Sequence, residues 1–167
     1  MNITVRLWVI SALLVLAPAC GKHVPPGKPS RPAEVHAMEP YPVDVAALPR
    51  KGNCVLESVN GELAAGTAVS AIGVFLFGGW MGDASGTVPT DARLALATDG
   101  VGYSVPLIGD IERPDVARAL SQPGLTNAGF NVAATLAVKP GRYDMYIVYG
   151  AEHPLACPLN AALTVRP

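Results

Sequence analysis

The sequence predicts an all-β domain: an Ig-like antiparallel β-sandwich of about seven strands with one short helix, occupying residues 53–167. Three observations predict it. After residue 53 the apolar residues fall in short runs separated by turn residues, the pattern of strands. Two separators, Asn60-Gly61 and Asp99-Gly100, are dipeptides favoured in two-residue hairpins, where both central residues take positive φ. Only residues 114–120 carry a helical pattern, and strands with hairpin turns and little helix point to two packed sheets.

Taken in order, residues 54–59 form a first strand closed by Asn60-Gly61. Residues 69–77 are the most hydrophobic run. Val69, Ala71, Phe75 and Phe77 lie on one face and Ile72, Val74 and Leu76 on the other, so a central strand is expected, with Gly73 marking a bulge. Gly78-Gly79-Trp80-Met81-Gly82 reads as a strand end with close backbone approach. Residues 93–98 and 103–107 flank Asp99-Gly100 as a hairpin. The helix begins at Pro114, which suits a first helical position, with Asp115 in the first turn and Val116, Ala117 and Leu120 on its apolar side. Strands at 130–138, 143–149 and 159–165 complete the set, the first two joined through Pro140-Gly141.

The segment before this domain has two parts. Arg6 precedes an apolar run, residues 7–16, broken only by Ser11, and Ala17-Pro18-Ala19 satisfies the small-x-small rule for cleavage before Cys20. The run is shorter than the roughly 20 residues that span a bilayer, so residues 1–19 read as a removable signal peptide. Residues 20–52 read as a linker. Pro25, Pro26, Pro29, Pro32, Pro40, Pro42 and Pro49 lock φ and remove donors, so the expected state is extended polyproline II reaching up to roughly 90 Å. An ordered arm against the surface around residues 41–48 is the alternative.

Leu16-Ala17-Pro18-Ala19-Cys20 resembles the lipobox of bacterial lipoprotein precursors, with Leu16 one place early and Pro18 intruding. The resemblance covers about the first 21 residues. It implies a lipid on the Cys20 thiol, hence palmitate-type acylation, a membrane anchor and a bacterial cell-envelope location. Gly21 lacks the Asp that retains enteric lipoproteins at the inner membrane, so the resemblance leans to the outer membrane. The alternative is a secreted protein whose mature N-terminus happens to be Cys.

Three cysteines are present in the 167 residues: Cys20, Cys54 and Cys157. If Cys20 carries lipid, the other two remain as a pair in an oxidising compartment, where a disulfide is favoured. Closing a loop of about 100 residues would stabilise the fold by roughly 4–5 kcal/mol in the chain-entropy model. Two buried free thiols are the alternative, and a metal site has less behind it than either. Formal net charge is −1. From residue 53 onward the bases are Arg93, Arg113, Arg118, Lys139, Arg142 and Arg166, outnumbered by acids. A mildly acidic domain without a basic stripe is not expected to bind nucleic acid.

Gly79-Trp80, Arg113-Pro114-Asp115-Val116-Ala117, Gly129-Phe130 and Pro140-Gly141-Arg142-Tyr143 occur in that order. The series resembles a poorly characterised β-sandwich module of bacterial envelope proteins, covering about residues 53–167. The resemblance implies a fold and an envelope setting and carries no catalytic residues.

Candidate chemistry is sparse. Asp110, Glu112 and Asp115 cluster as glycoside-hydrolysing carboxylates do, but Arg113 and Arg118 lie among them and ion pairing explains the cluster. The glycines at 78–82 lack the Lys-Ser/Thr ending of a phosphate loop. His153 is the sole histidine of the domain and no nucleophile elbow accompanies it. Asp83, Asp91 and Asp99 do not match a calcium loop. No motif implies a cofactor or a metal.

Trp80, with polar Asp83 and Ser85 following, suggests a carbohydrate platform, to which Tyr143, Tyr146 and Tyr149 would add aromatic surface. Alternation puts Tyr143 and Tyr149 on one face and Tyr146 on the other. A lone Trp in a sandwich more often belongs to the core. Trp80, Asp83, Arg113 and Asp115 are the candidate ligand-binding residues. The expectation is a non-enzymatic envelope lipoprotein whose partners are the membrane and an envelope protein or glycan. A glycan-binding module is the alternative, and a hydrolase has the least behind it.

Overall fold

A computed structural model describes residues 34–64, 68–70 and 73–167. The signal segment, Cys20 and the linker up to residue 33 lie outside the described residues. The strands are β1 (Val35–Ala37), β2 (Glu39–Tyr41), β3 (Asn53–Val59), β4 (Glu62–Leu63), β5 (Ala68–Ser70), β6 (Val74–Gly82), β7 (Arg93–Thr98), β8 (Val101–Pro106), β9 (Gly129–Thr135), β10 (Gly141–Tyr149) and β11 (Leu155–Arg166). Among the described residues one helix, α1 (Pro114–Ala119), and short 3-10 turns at Val45–Ala47 and Pro123–Leu125 accompany them.

The strands form two sheets: a five-stranded one ordered β1-β9-β6-β3-β4 and a six-stranded one ordered β2-β8-β7-β10-β11-β5. Alternation turns Phe77, Met81 and Phe130 of the first sheet toward Leu94, Leu96, Met145, Ile147 and Leu163 of the second, all at 2 % exposure or less. Burying each such side chain is worth about 1.5–3 kcal/mol, so this interlayer is what holds the sandwich together. The sandwich and its single helix are as the sequence predicts, and β3 and β6–β11 account for the seven anticipated strands.

Both anticipated hairpin turns form, with Asn60 and Gly61 at φ 54° and 81° and Asp99 and Gly100 at 42° and 76°. The disulfide between Cys54 of β3 and Cys157 of β11 is present, with Cα atoms 6.0 Å apart. It ties one sheet to the other. The Tyr143 hydroxyl donates to the Lys139 carbonyl at 2.7 Å, fixing the crossing from β9 in one sheet to β10 in the other. Pro140-Gly141 therefore serves a sheet-to-sheet crossing and not a hairpin.

Two expectations are corrected. Residues 69–77 are not one strand. β5 pairs in parallel with β11 in the six-stranded sheet, whereas β6 is the middle strand of the other. Gly73, at φ 148°, takes a conformation closed to other residues and lies where the chain passes between sheets. Phe75 and Phe77 face the core, but Val74 and Leu76 are 54 % and 39 % exposed, so the outer face of this central strand is open.

The domain also starts earlier than residue 53. β1 runs parallel to β9 in one sheet and β2 runs antiparallel to β8 in the other. Met38, between them, is 3 % exposed within the main core. Val45 is buried against Ala95, Ala97, Tyr146, Val148 and Ala156 on the outer face of the six-stranded sheet. Proline does not forbid this, because β2 is an edge strand and Pro40 can sit where no ladder donor is needed. The arm along residues 41–48, the alternative to a free linker, is what forms.

Candidate functional site

Trp80 stands on β6 opposite Val55 of β3 and Gly129 of β9, pointing away from the interlayer that Phe77 and Met81 enter. It is half-buried, packed with Val88 against the small apolar cluster of Val116, Ala117, Leu125 and Ala128. α1 and the 3-10 turn after it thus lie on the outer face of the five-stranded sheet, at the Trp80 end. Pro114 and Asp115 start α1 as the sequence anticipates, and Leu120, counted on its apolar side, is 37 % exposed at its C-terminal cap.

Arg113, immediately before α1, crosses this face. Its guanidinium donates to both carboxylate oxygens of Glu57 at 2.9 Å and to Asp115 through Nε and Nη2 at 3.0 and 2.9 Å. Gly129 makes the crossing possible, since a β-carbon there would lie 2.9 Å from Arg113 Cγ. The Arg113 hydrogen bonds and charge hold the Asp115 carboxyl down at about 2, and hydrogen bonding to Asp115 and Glu57 raises Arg113 further above its ordinary value. Glu57 projects from the irregularity in β3 between Leu56 and Ser58. Sequence reasoning missed Glu57. The available signal was a lone charged residue inside an otherwise uncharged strand.

One step along β6, Gly78 leaves a gap in the same face. A β-carbon there would sit 2.7 Å from Asn131 Oδ1 and 2.9 Å from Ser58 Oγ, so an amide and a hydroxyl lean over it from both neighbouring strands. Gly79 confirms the close approach anticipated for the glycine run, because a β-carbon on it would run into the Val55 carbonyl oxygen. These glycines form the C-terminal end of β6, as anticipated.

Of the four candidate ligand-binding residues, Arg113 and Asp115 come together beside Trp80. Asp83 is committed elsewhere. Its carboxylate accepts from the Ser85 and Thr87 amides at 2.9 Å each and from both hydroxyls at 2.8 Å each, organising its own loop. Burial pushes its pKa up, but the hydrogen bonds from Thr87 and Ser85 outweigh this and hold it below the ordinary value.

Tyr143 and Tyr149 share the core face and Tyr146 the opposite one, as alternation requires, yet all three are buried and add no aromatic surface to Trp80. Tyr146 lies under Arg50, whose guanidinium carbon is 4.4 Å from the ring centroid. Arg118 donates to the Pro114 carbonyl, not to an acid. Asp91 accepts from the Gly150 and Ala151 amides, which holds the loop carrying His153.

Among the described residues no group of three or more His, Cys, Asp or Glu is placed to hold a metal ion, and no helix is long and apolar enough to cross a membrane. A shallow hollow of about 350 Å³ opens between Pro114, Arg118 and Pro123, and another of about 240 Å³ beside Arg142 and Asn160. The fold and this face define a two-sheet β-sandwich with a helix layered on one outer surface. No protein-family model matches the chain, and comparison with curated proteins and solved structures also finds no match.

Proposed function

We propose that the protein is an exported lipoprotein of the bacterial cell envelope, anchored through Cys20, whose β-sandwich is a non-catalytic interaction or structural domain. The observation that carries this reading is the Cys54–Cys157 bridge. It commits two of three cysteines to each other in a bond suited to an oxidising compartment, leaving Cys20, at the cleavage position, as the one thiol for acylation. The charged candidates support the non-catalytic part: Arg113 is saturated by two carboxylates, and Asp83 and Asp91 hold loops. The outer membrane is favoured by Gly21. Labelling cells with a radioactive fatty acid tests the anchor: label is expected in the wild type and absent in Cys20→Ala. Equal export with no label in either form would leave a secreted protein.

A second reading, recognition of an envelope glycan, draws on the row Trp80, Gly78, Asn131 and Ser58. It sets a partly exposed indole, flanked by α1, near an amide and a hydroxyl on the same outer face. Trp80 is the sole Trp of the mature chain, so its fluorescence reports directly. Iodide is expected to quench it and envelope polysaccharide to protect it. An indole shielded from iodide and indifferent to polysaccharide would end this reading.

A further inference from the structure

The outer face of the five-stranded sheet changes character along its length. At the end away from Trp80, Val35, Val74 and Leu76 are 51 %, 54 % and 39 % exposed. The pairing register places them together: Val35 with Ala133, Ala133 with Leu76, and Val74 with Thr135 in the adjoining row. Leu63, 85 % exposed, stands opposite Ser58 two strands over. The side chains between them, Ala37, Ala133 and Thr135, carry no charge.

We propose that this apolar end rests on the lipid surface to which the chain is anchored, so that the domain lies against the membrane and presents Trp80, at the far end of the same face, beyond the contact. The proposal rests on the lipid-anchor reading of Cys20 for its proximity. Val35 belongs to the patch and is also the first strand residue after the tether. Only about 14 residues separate it from Cys20, a span of roughly 45 Å as polyproline II and at most about 54 Å fully extended. The tether carries Lys22, Lys28 and Arg31 against an acidic domain, which suits anionic headgroups near the patch.

The patch is too small to hold a second copy. Its side chains offer a few hundred Å² at most, against roughly 800 Å² per partner in a stable interface. A tethered contact needs less, because a short linker keeps the local concentration in the millimolar range.

The test uses Val74→Cys in the lipidated protein, where the other cysteines are occupied, with Val101→Cys as control. Val101 is also 51 % exposed but lies on β8 of the other sheet. In phosphatidylethanolamine/phosphatidylglycerol vesicles, a membrane-impermeant maleimide is expected to label position 74 at least five-fold more slowly than position 101. In the soluble Cys20→Ser background the two rates should agree within two-fold. Equal rates in vesicles, with Cys20 shown to carry fatty acid, overturn the docking while leaving the anchor intact. Absence of fatty acid on Cys20 overturns the anchor and the docking with it. Protection of position 74 in the Cys20→Ser protein that grows with protein concentration would assign the patch to self-association instead.

Discussion

Arg113 grips Glu57 through two hydrogen bonds of 2.9 Å across 56 residues of chain, and this contact fastens the helical layer to the sheet. Without it, α1 would be held over Trp80 chiefly by Val116 and Ala117, since six residues are too few to be helical alone. A bidentate guanidinium–carboxylate pair has the fixed geometry that a single ammonium contact lacks.

The pH dependence of this clamp follows from Asp115. Its folded-state pKa of about 2 lies below the ordinary 3.8, so its contribution to stability is complete above about 4 and is lost as pH falls through about 2. Carboxyl titration by NMR should give a midpoint near 2 for Asp115 in the wild type. In Arg113→Met it should return toward the ordinary value. Because Asp115 is 59 % exposed, the accompanying change in stability should be small and should shrink in high salt.

Removing the cross-sheet bridge should cost more than any surface change. Cys54→Ala/Cys157→Ala, or reduction of the wild type, is expected to lose about 2–5 kcal/mol. At this chain length that is a fall in melting temperature of roughly 5–15 °C by calorimetry. Cys20→Ser should leave the melting temperature unchanged. A domain indifferent to reductant would mean that the interlayer core suffices.

Gly79 and Gly141 make a paired test of strand packing. In Gly79→Ala the new methyl meets a backbone carbonyl that cannot turn aside, and a loss of at least about 3 kcal/mol is expected. In Gly141→Ala the nearest atom is Tyr143 Cε2 at 3.8 Å, an ordinary contact, and stability should stay within about 1 kcal/mol of wild type. Urea titration of both variants decides it. Similar midpoints would refute the close β3–β6 approach.

The arm over the six-stranded sheet depends on Arg50, which stacks on Tyr146 and donates to the Val45 and Ala46 carbonyls at 3.0 and 2.9 Å. Arg50→Ala should cost about 1 kcal/mol. It should also speed amide exchange in residues 41–50 selectively, leaving β7 and β10 protected. Uniform acceleration across the domain would show that the arm does not open on its own.

The two hairpins were legible because Asn60-Gly61 and Asp99-Gly100 carry their conformation in the residues themselves. The disulfide was legible by counting cysteines and compartments. The arm was not. Met38 sits among scattered apolar residues in a proline-rich stretch, where the prolines argue against any regular element. The division of residues 69–77 between two sheets was hidden because an apolar run looks the same whether it continues or changes layer. Arg113 and Asp115 could be paired from their spacing, but Glu57 joins them only through tertiary folding. Nothing in a six-residue helix declares which face of which sheet it will cover, so the outward direction of Trp80 was equally hidden.

The N-terminal strands have a consequence for the order in which this chain can fold. Val35 aligns with Ala133, Ala68 with Thr164 and Arg50 with Ala156, and Cys54 bonds Cys157. Several early elements therefore find a partner only in the final third of the chain, although β2 pairs with β8 and β3 with β4 and β6 before it. Loop-closure entropy must be met before such distant pairings repay it, which places folding in the slow, milliseconds-to-seconds range of non-local β topologies. No portion that stops short of β11 can complete both sheets. A chain delivered from its N-terminus has every strand of the five-stranded sheet once β9 arrives, whereas the six-stranded sheet, its parallel seam with β5 and the bridge all wait for β11 and can close in a single late event.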